Sequence, residues 1–408
     1  MRAVCLLFAL FALLPVVRAD DWPQWRGPQR DGISAETGWL AGWPENAPPR
    51  VAWRQQVGKG HSAVSVRGDA AYTMGWDGNQ DTVFCLDAAT GAVRWKKSYP
   101  CASIVQWSGP RATPAVDGDK VFTLGQHGQL RAWDTATGAP RWAVDLPTSY
   151  QPDVDYGFTW SPLVESGLLI LGTGSKGLAL RGSDGAFVWG NDGVAGACVS
   201  PMPFTLDGVH GVAVVAMDPS RNHVSVVGVE LATGRELWRT GPWREKWGAA
   251  CSDLVLHEGR AFLSTAEQHK LCAQFQFAPG PAREVWSNRN LSTYTGNVVL
   301  LVGHLYGVDK TGILKCVDWQ SGEERWWQRG FEEHGTLIAA EGRLIVQSGK
   351  SGTLSVVEAV PSGYRELRRM KVFTEPAATF TAPVLAGGRL YCRSYAGEIV
   401  CLFLAPAR

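Results

Sequence analysis

The 408-residue sequence has no surplus of charge of either sign, with 39 lysines and arginines against 38 aspartates and glutamates. It also lacks a basic run, so nothing in it matches a phosphate backbone and nucleic-acid recognition is disfavoured. Long apolar runs are missing too. Residues 4–14 form an apolar run that is too short to span a bilayer comfortably. Several catalytic patterns are absent. No second histidine follows His257-Glu258 at metalloprotease spacing, and no serine sits in a nucleophile elbow. Gly349-Lys350-Ser351 has Leu344 where a phosphate loop needs its earlier glycine, and it falls in a strand–strand turn instead of opening a helix. No two of the nine cysteines are adjacent.

What is present begins with a targeting pattern. Residues 1–19 have a basic residue at position 2, the short apolar run and the ending Val17-Arg18-Ala19, with small residues where a signal peptidase cuts. A cleaved signal is expected, giving a secreted or periplasmic chain that starts near Asp20 and keeps no transmembrane segment. Residue 20 is not cysteine, so no lipid anchor is expected at this point. Cys5 leaves with the signal, and eight cysteines remain in an oxidising compartment. Cys392 and Cys401 lie symmetrically about Ala396-Gly397, so a two-residue turn there would oppose them on a hairpin and allow a disulfide.

Tryptophan is abundant, with nineteen in all, and its placement is periodic. A glycine precedes a tryptophan by four residues at Gly91 and Trp95, Gly138 and Trp142, Gly185 and Trp189, Gly234 and Trp238, and Gly322 and Trp326. Trp286 keeps the indole without the glycine, Gly363 leads to Leu367, and Trp53 is an eighth copy without the front of its repeat. Successive copies are about forty to fifty residues apart, the period of a four-stranded propeller blade. In the first copy the apolar run Thr82-Val83-Phe84-Cys85-Leu86 reads as a strand, Asp87 opens a turn closed by Gly91 at positive φ, and the next strand carries the indole. A hairpin cannot bury an indole alone, so these tryptophans are expected to dock on neighbouring blades.

The repeats predict an all-β fold, an eight-bladed propeller of four-stranded antiparallel sheets. Seven units lie at about 61–99, 111–146, 159–192, 198–241, 251–290, 295–330 and 334–373. Residues 51–57 supply an outermost strand and residues 382–404 three inner ones, so both ends share the eighth blade and close the ring. The propeller occupies residues 50–408. Residues 20–49, with Trp22, Trp25, Trp39 and Trp43, lack a strand period and are expected to lie as an irregular strap across it.

Aligned repeats place His61, Arg111, Thr159, Cys198, Cys251, Thr295, His334 and Phe380 at the start of the innermost strands. Two residues on come Ala63, Thr113, Ser161, Ser200, Asp253, Asn297, Thr336 and Ala382, a small or polar set suited to a narrow wet channel. Trp107, Tyr156, Trp160 and Trp247 lie in loops just before such strands. With His61, Arg111 and His334 they could form an aromatic, cationic mouth for a sugar, quinone or peptide, or else pack against the strap. His61, His334 and Cys251 could ligate a metal if the ring brought them together. Asp253 and Asn297 could offer oxygens to calcium or act as a base, but two donors are too few for calcium, and polar channel lining is the plainer reading.

The tails Ala88-Ala89-Thr90-Gly91 to Trp95 and Ala232-Thr233-Gly234 to Trp238 resemble the tryptophan-docking repeat of the pyrroloquinoline-quinone-like (PQQ-like) β-propellers, from residue 51 onward. The Trp22-Pro23 opening with Arg26-Gly27-Pro28 and Arg30-Asp31-Gly32 resembles secreted members from planctomycete-type bacteria. The resemblance implies either a quinone-dependent alcohol dehydrogenase or a non-catalytic scaffold like the propeller lipoprotein of outer-membrane β-barrel assembly. The dehydrogenases carry an adjacent-cysteine disulfide over the quinone, a tryptophan floor and calcium ligands. This sequence has no such cysteine pair. The expectation is therefore a monomeric binding scaffold for a protein, ligand or glycan, with no catalytic residues and no cofactor. A quinoprotein using PQQ and calcium is the alternative, and a carbohydrate-binding module comes third.

Overall fold

The strands of one repeat differ in how apolar they are, and that difference sets their place in a blade. In the computed structural model, which describes residues 21–103, 107–150, 157–190, 196–218, 220, 222–244, 252–265, 272–374 and 377–404, the first blade runs outward from the central channel. Its strands are Ser65–Arg67, Ala70–Trp76, Gln80–Asp87 and Val93–Pro100. The middle two are largely buried on both faces, because a blade has a neighbour on either side. The outermost alternates, burying Trp95 and Tyr99 and exposing Arg94 and Lys96. Blades 2 to 7 follow at 115–145, 163–190, 202–244, 255–288, 298–329 and 336–371. The architecture is an eight-bladed all-β propeller.

Blade 8 is built from both ends of the described chain. Arg50–Gln56 pairs antiparallel with Glu398–Phe403, followed inward by Arg389–Arg393 and Val384–Ala386. Trp53 lies opposite Cys401. The hairpin differs from its expected register by one residue: Cys392 faces Val400, and Tyr391 faces Cys401. The turn spans Ser394 to Gly397, where Gly397 donates to the Ser394 carbonyl. A one-residue shift sends alternate side chains to opposite faces of a sheet. Cys392 and Cys401 are therefore buried free thiols, and the expected disulfide is corrected.

The repeated tryptophans dock between blades through two contacts. Trp95 Nε1 donates to the Thr135 carbonyl of the next blade at 2.9 Å, and a Cβ on Gly138 would lie 2.7 Å from its ring. Gly138 also has φ +66°, so both backbone and space require glycine there. Trp53, Trp142, Trp189 and Trp286 each donate likewise to Ala88, Gly182, Leu231 and Trp319. Trp326 donates to Val360 and meets Tyr364 edge-on, with Gly363 left open. Trp238 instead stacks on Phe277 at 4.6 Å, and its strand pairs with Gly280–Pro281 from blade 5.

Each outer strand has a bulge at one phase, the residue just before the indole. In blade 7 the bulge falls on Leu367, so Arg368 occupies the docking position and the expected Gly363-to-Leu367 pairing is off by one. Arg368 Nε donates to the Trp43 carbonyl. The cause lies in blade 8, whose third and fourth strands come from opposite chain ends and lack the turn on which an indole could dock. The strap fills that gap, with Trp39 and Trp43 buried against the cores of blades 7 and 8.

Candidate functional site

Eight innermost strands converge on the channel, and each has an open edge whose N–H groups need partners. The small or polar set, which sits just before most of these strands and opens the one at Thr336, supplies them. The Ala63 N–H donates to Thr113 Oγ1 at 3.1 Å, Thr113 N–H to Ser161 Oγ at 2.9 Å, and Ser161 N–H to Ser200 Oγ at 3.1 Å. Ser200 N–H donates to Asp253 Oδ1 at 3.0 Å. In blade 6 the Asn297 amide clamps Leu337 of blade 7, accepting from its N–H and donating to its carbonyl. These side chains link neighbouring blades around the channel. At the seam Arg393 takes over, donating to Ser62, Thr73 and Gly58 of the first blade's approach. Burial pulls its pKa down to about 9, still charged at neutral pH.

Beneath this belt the strap occupies the channel. Trp22 bridges to Val66 of blade 1, and the Pro23 carbonyl accepts from Val116 of blade 2. Arg30, fully buried, donates to the Ser161 and Pro162 carbonyls of blade 3. Arg26 reaches Leu254 of blade 5 and Val298 of blade 6. Ile33–Ser34 adds a short parallel strand to the inner edge of blade 7, and Ser34 Oγ donates to Leu385 of blade 8. One irregular segment thus touches the inner strands of seven blades. Trp25 points the other way and donates its indole N–H to Asp253 Oδ2.

Above Trp25 opens a cavity of about 270 Å³. Of the residues expected at the mouth, His61, Trp107, Arg111, His334 and Asp253 line it. Trp160 does not. Its ring is buried in the core of blades 2 and 3, edge-on to Phe158 at 5.5 Å. Asn297 is also not at the mouth, because its amide is held by Leu337 and it is almost wholly buried. Tyr156, Trp247 and Cys251 lie outside the described residues. His61 and His334 flank Phe380, each at 4.8 Å, so an aromatic ring separates the two imidazoles considered as metal ligands. Among the described residues no group of three His, Cys, Asp or Glu side chains comes together to hold a metal.

Two kinds of wall line this cavity. One is aromatic: Trp107 packs on Phe380 at 5.1 Å and on Tyr395 at 5.6 Å, while Tyr294 lies 5.4 Å from His334. Trp107 holds φ +55° and stays half exposed at 52%. The neighbouring Gly109 N–H donates to Gln126 Oε1, and Gln126 in turn is anchored on buried Asp81. The other wall is polar, with Arg111, Thr159, Ser161, Cys198 and Ser200. Burial and the Arg111 guanidinium pull the His61 pKa down to about 3, so the ring is neutral at ordinary pH. His334 is also lowered, chiefly by burial, and its Nδ1 lies 2.8 Å from Thr295 Oγ1.

Sequence reasoning did not single out Trp25, Tyr294 or Tyr395, and it placed Phe380 only by phase. Tyr294 and Phe380 adjoin or occupy the strand-start positions, so the repeat frame could have nominated them. Trp25 carried no periodic signal, since it reaches the site from outside the repeats.

The family model described as "Outer membrane protein assembly factor BamB" matches residues 80–328, more than half of the chain. Among solved structures, BamB from Moraxella catarrhalis has a TM-score of 0.63 at 15% identity, over 86% of this chain and 98% of that one. The quinohemoprotein alcohol dehydrogenase from Comamonas testosteroni scores 0.62 at 13% identity, over 95% of this chain and 81% of that one. The computationally designed Ika8 protein scores 0.62 at 12% identity, over 86% of this chain and 98% of that one. At such identities the likeness to these structures concerns the fold alone. No curated protein matches the sequence significantly.

Proposed function

The chain belongs to the family of the outer membrane protein assembly factor BamB, and from that premise we propose that it is a binding propeller with no chemistry of its own. It works in the secreted or periplasmic space and takes a protein, small ligand or glycan at the channel mouth. The observation that carries this reading is the occupied channel, with Arg26, Arg30 and Trp25 of the strap bonded to the strands beneath the cavity. The family and the secretory pattern of residues 1–19 support the compartment. Among the described residues no helix is long and apolar enough to cross a membrane.

The quinone alternative finds ill-suited donors. Both Asp253 oxygens already accept hydrogen bonds, the Asn297 amide is held by Leu337, and no adjacent cysteines exist to cover a quinone. Purified protein is mixed with pyrroloquinoline quinone and calcium, passed over a desalting column, and assayed for dye reduction with alcohols. Neither retained quinone absorbance nor dye reduction is expected. Stoichiometric retention with turnover would overturn the proposal. The half-exposed indole of Trp107 favours glycan binding as a second reading, tested by retention on immobilised glycans that is lost in Trp107→Ala.

A further inference from the structure

We infer that the mouth cavity takes a small aryl carboxylate, one aromatic ring bearing one acid group; this rests on the mouth being the binding face. The argument begins with the belt of inter-blade hydrogen bonds. Ser161 Oγ accepts from the Thr113 N–H and Ser200 Oγ from the Ser161 N–H, so each hydroxyl has a lone pair tied to the backbone. Both side chains are more than nine-tenths buried and both line the cavity. Neither hydroxyl proton has an acceptor among the described residues. A hydroxyl rotates about its C–O bond, and with its oxygen tied to the preceding blade its proton is left to donate into the cavity.

The same wall carries the Arg111 guanidinium, which can only donate. Acceptors are scarce. Among the described residues Asp253 is the one carboxylate lining the cavity, and its oxygens are met by Trp25 Nε1 and the Ser200 N–H. A neutral sugar, with several hydroxyl protons to place, would find too few acceptors here. An anion can accept from the two hydroxyl protons, with a guanidinium charge beside them.

Charge points the same way. Arg26, Arg30 and Arg393 are buried around the channel below Arg111, whereas the carboxylates facing the strap's guanidiniums are Asp253 and Asp31. At the rim Glu333 is paired with Lys350 at 3.5 Å. Among the described residues buried guanidiniums outnumber the carboxylates facing them, a balance that favours an anion at the mouth, where low-dielectric walls focus the field. The same cavity is lined by Trp107, Phe380 and Tyr294, a surface for a flat ring. The cavity, about 270 Å³, falls just below the ~300–1,000 Å³ typical of sites for drug-sized ligands. One ring with its acid group suits that volume.

Isothermal titration of the intact protein with sodium phenylacetate tests this, with phenylacetamide as the uncharged isostere and sodium acetate as the anion without a ring. Phenylacetate is expected to bind at least about 10-fold more tightly than either, the scale of one charge-assisted hydrogen bond. Arg111→Gln should remove the preference for the acid over the amide. Trp107→Leu, at a half-exposed position, should weaken phenylacetate about 10-fold and leave the acid preference intact. Equal binding of acid and amide, or no phenylacetate binding at millimolar concentration, would overturn the inference. Those results would leave the binding-propeller reading standing, since that reading falls only with quinone turnover.

Discussion

His61 and His334 show how the wall around one side chain sets its charge. Burial and the Arg111 guanidinium lower His61, and burial lowers His334, so both are neutral where a free imidazole would begin to protonate. A histidine whose folded pKa is below its unfolded value binds its proton more readily in the unfolded chain. Stability is therefore intact above about pH 6.5 and lost as pH falls toward the folded value. Thermal melts of His61→Phe should accordingly show a shallower loss of Tm between pH 6.5 and 4 than the parent; an unchanged slope would mean that His61 is solvated. The thiols allow a second check. Cys392 and Cys401 are buried, and burial raises both, Cys401 to about 12. Native protein should leave them unalkylated by iodoacetamide with or without reductant, and both should react after unfolding in guanidinium without reductant. A pair that reacts only after reduction would restore the disulfide.

At the scale of the element, the unit is the turn of one blade and the indole that its neighbour lays on it. Asp134 accepts from the Ala136 and Thr137 N–H groups and the Thr137 hydroxyl, so the turn holds itself. Gly138 follows with positive φ and the Trp95 ring against it. Alanine at Gly138 meets two costs: about 1–2 kcal/mol for a left-handed backbone, and about 1–3 kcal/mol for overpacking the indole. A loss of about 3 kcal/mol in denaturant unfolding is expected for Gly138→Ala, against little change for Ala136→Ser on the same exposed turn. The exception in blade 7 follows from the same physics. Blade 8 has no turn to receive an indole, Arg368 stands where the tryptophan would be, and Trp43 of the strap covers the gap.

On the scale of the whole molecule, two devices hold the ring. The strand Arg50–Gln56 completes blade 8, and the strap joins the inner edges of seven blades. Arg30 is the deepest strap contact, donating to two carbonyls at 2.9 and 3.0 Å from a fully buried position. Arg30→Ala should cost about 3 kcal/mol, since hydrogen bonds from a charged donor are lost and buried carbonyls are left unmet. Hydrogen exchange should then rise at the inner strands of blades 2 and 3, far from the sequence position of the change. Protection unchanged there would show that the strap lies on the propeller without supporting it.

The spacing of glycine and tryptophan was enough to determine the number of blades, their four-stranded make-up and the closure through Trp53, because each is a local pattern repeated at fixed phase. The repeat frame likewise brought His61, Arg111, His334 and Asp253 to one channel. Contacts with no period were beyond its reach. Which alignment position faces the cavity and which ties blade to blade depends on neighbouring backbones, as Asn297 on Leu337 illustrates. Trp160 sits near the mouth in sequence, yet its ring turns into the core. Only the folded chain decided that Trp25, Arg26 and Arg30 enter the channel, since an irregular segment finds its partners through unpaired strand edges that exist only after the ring has formed.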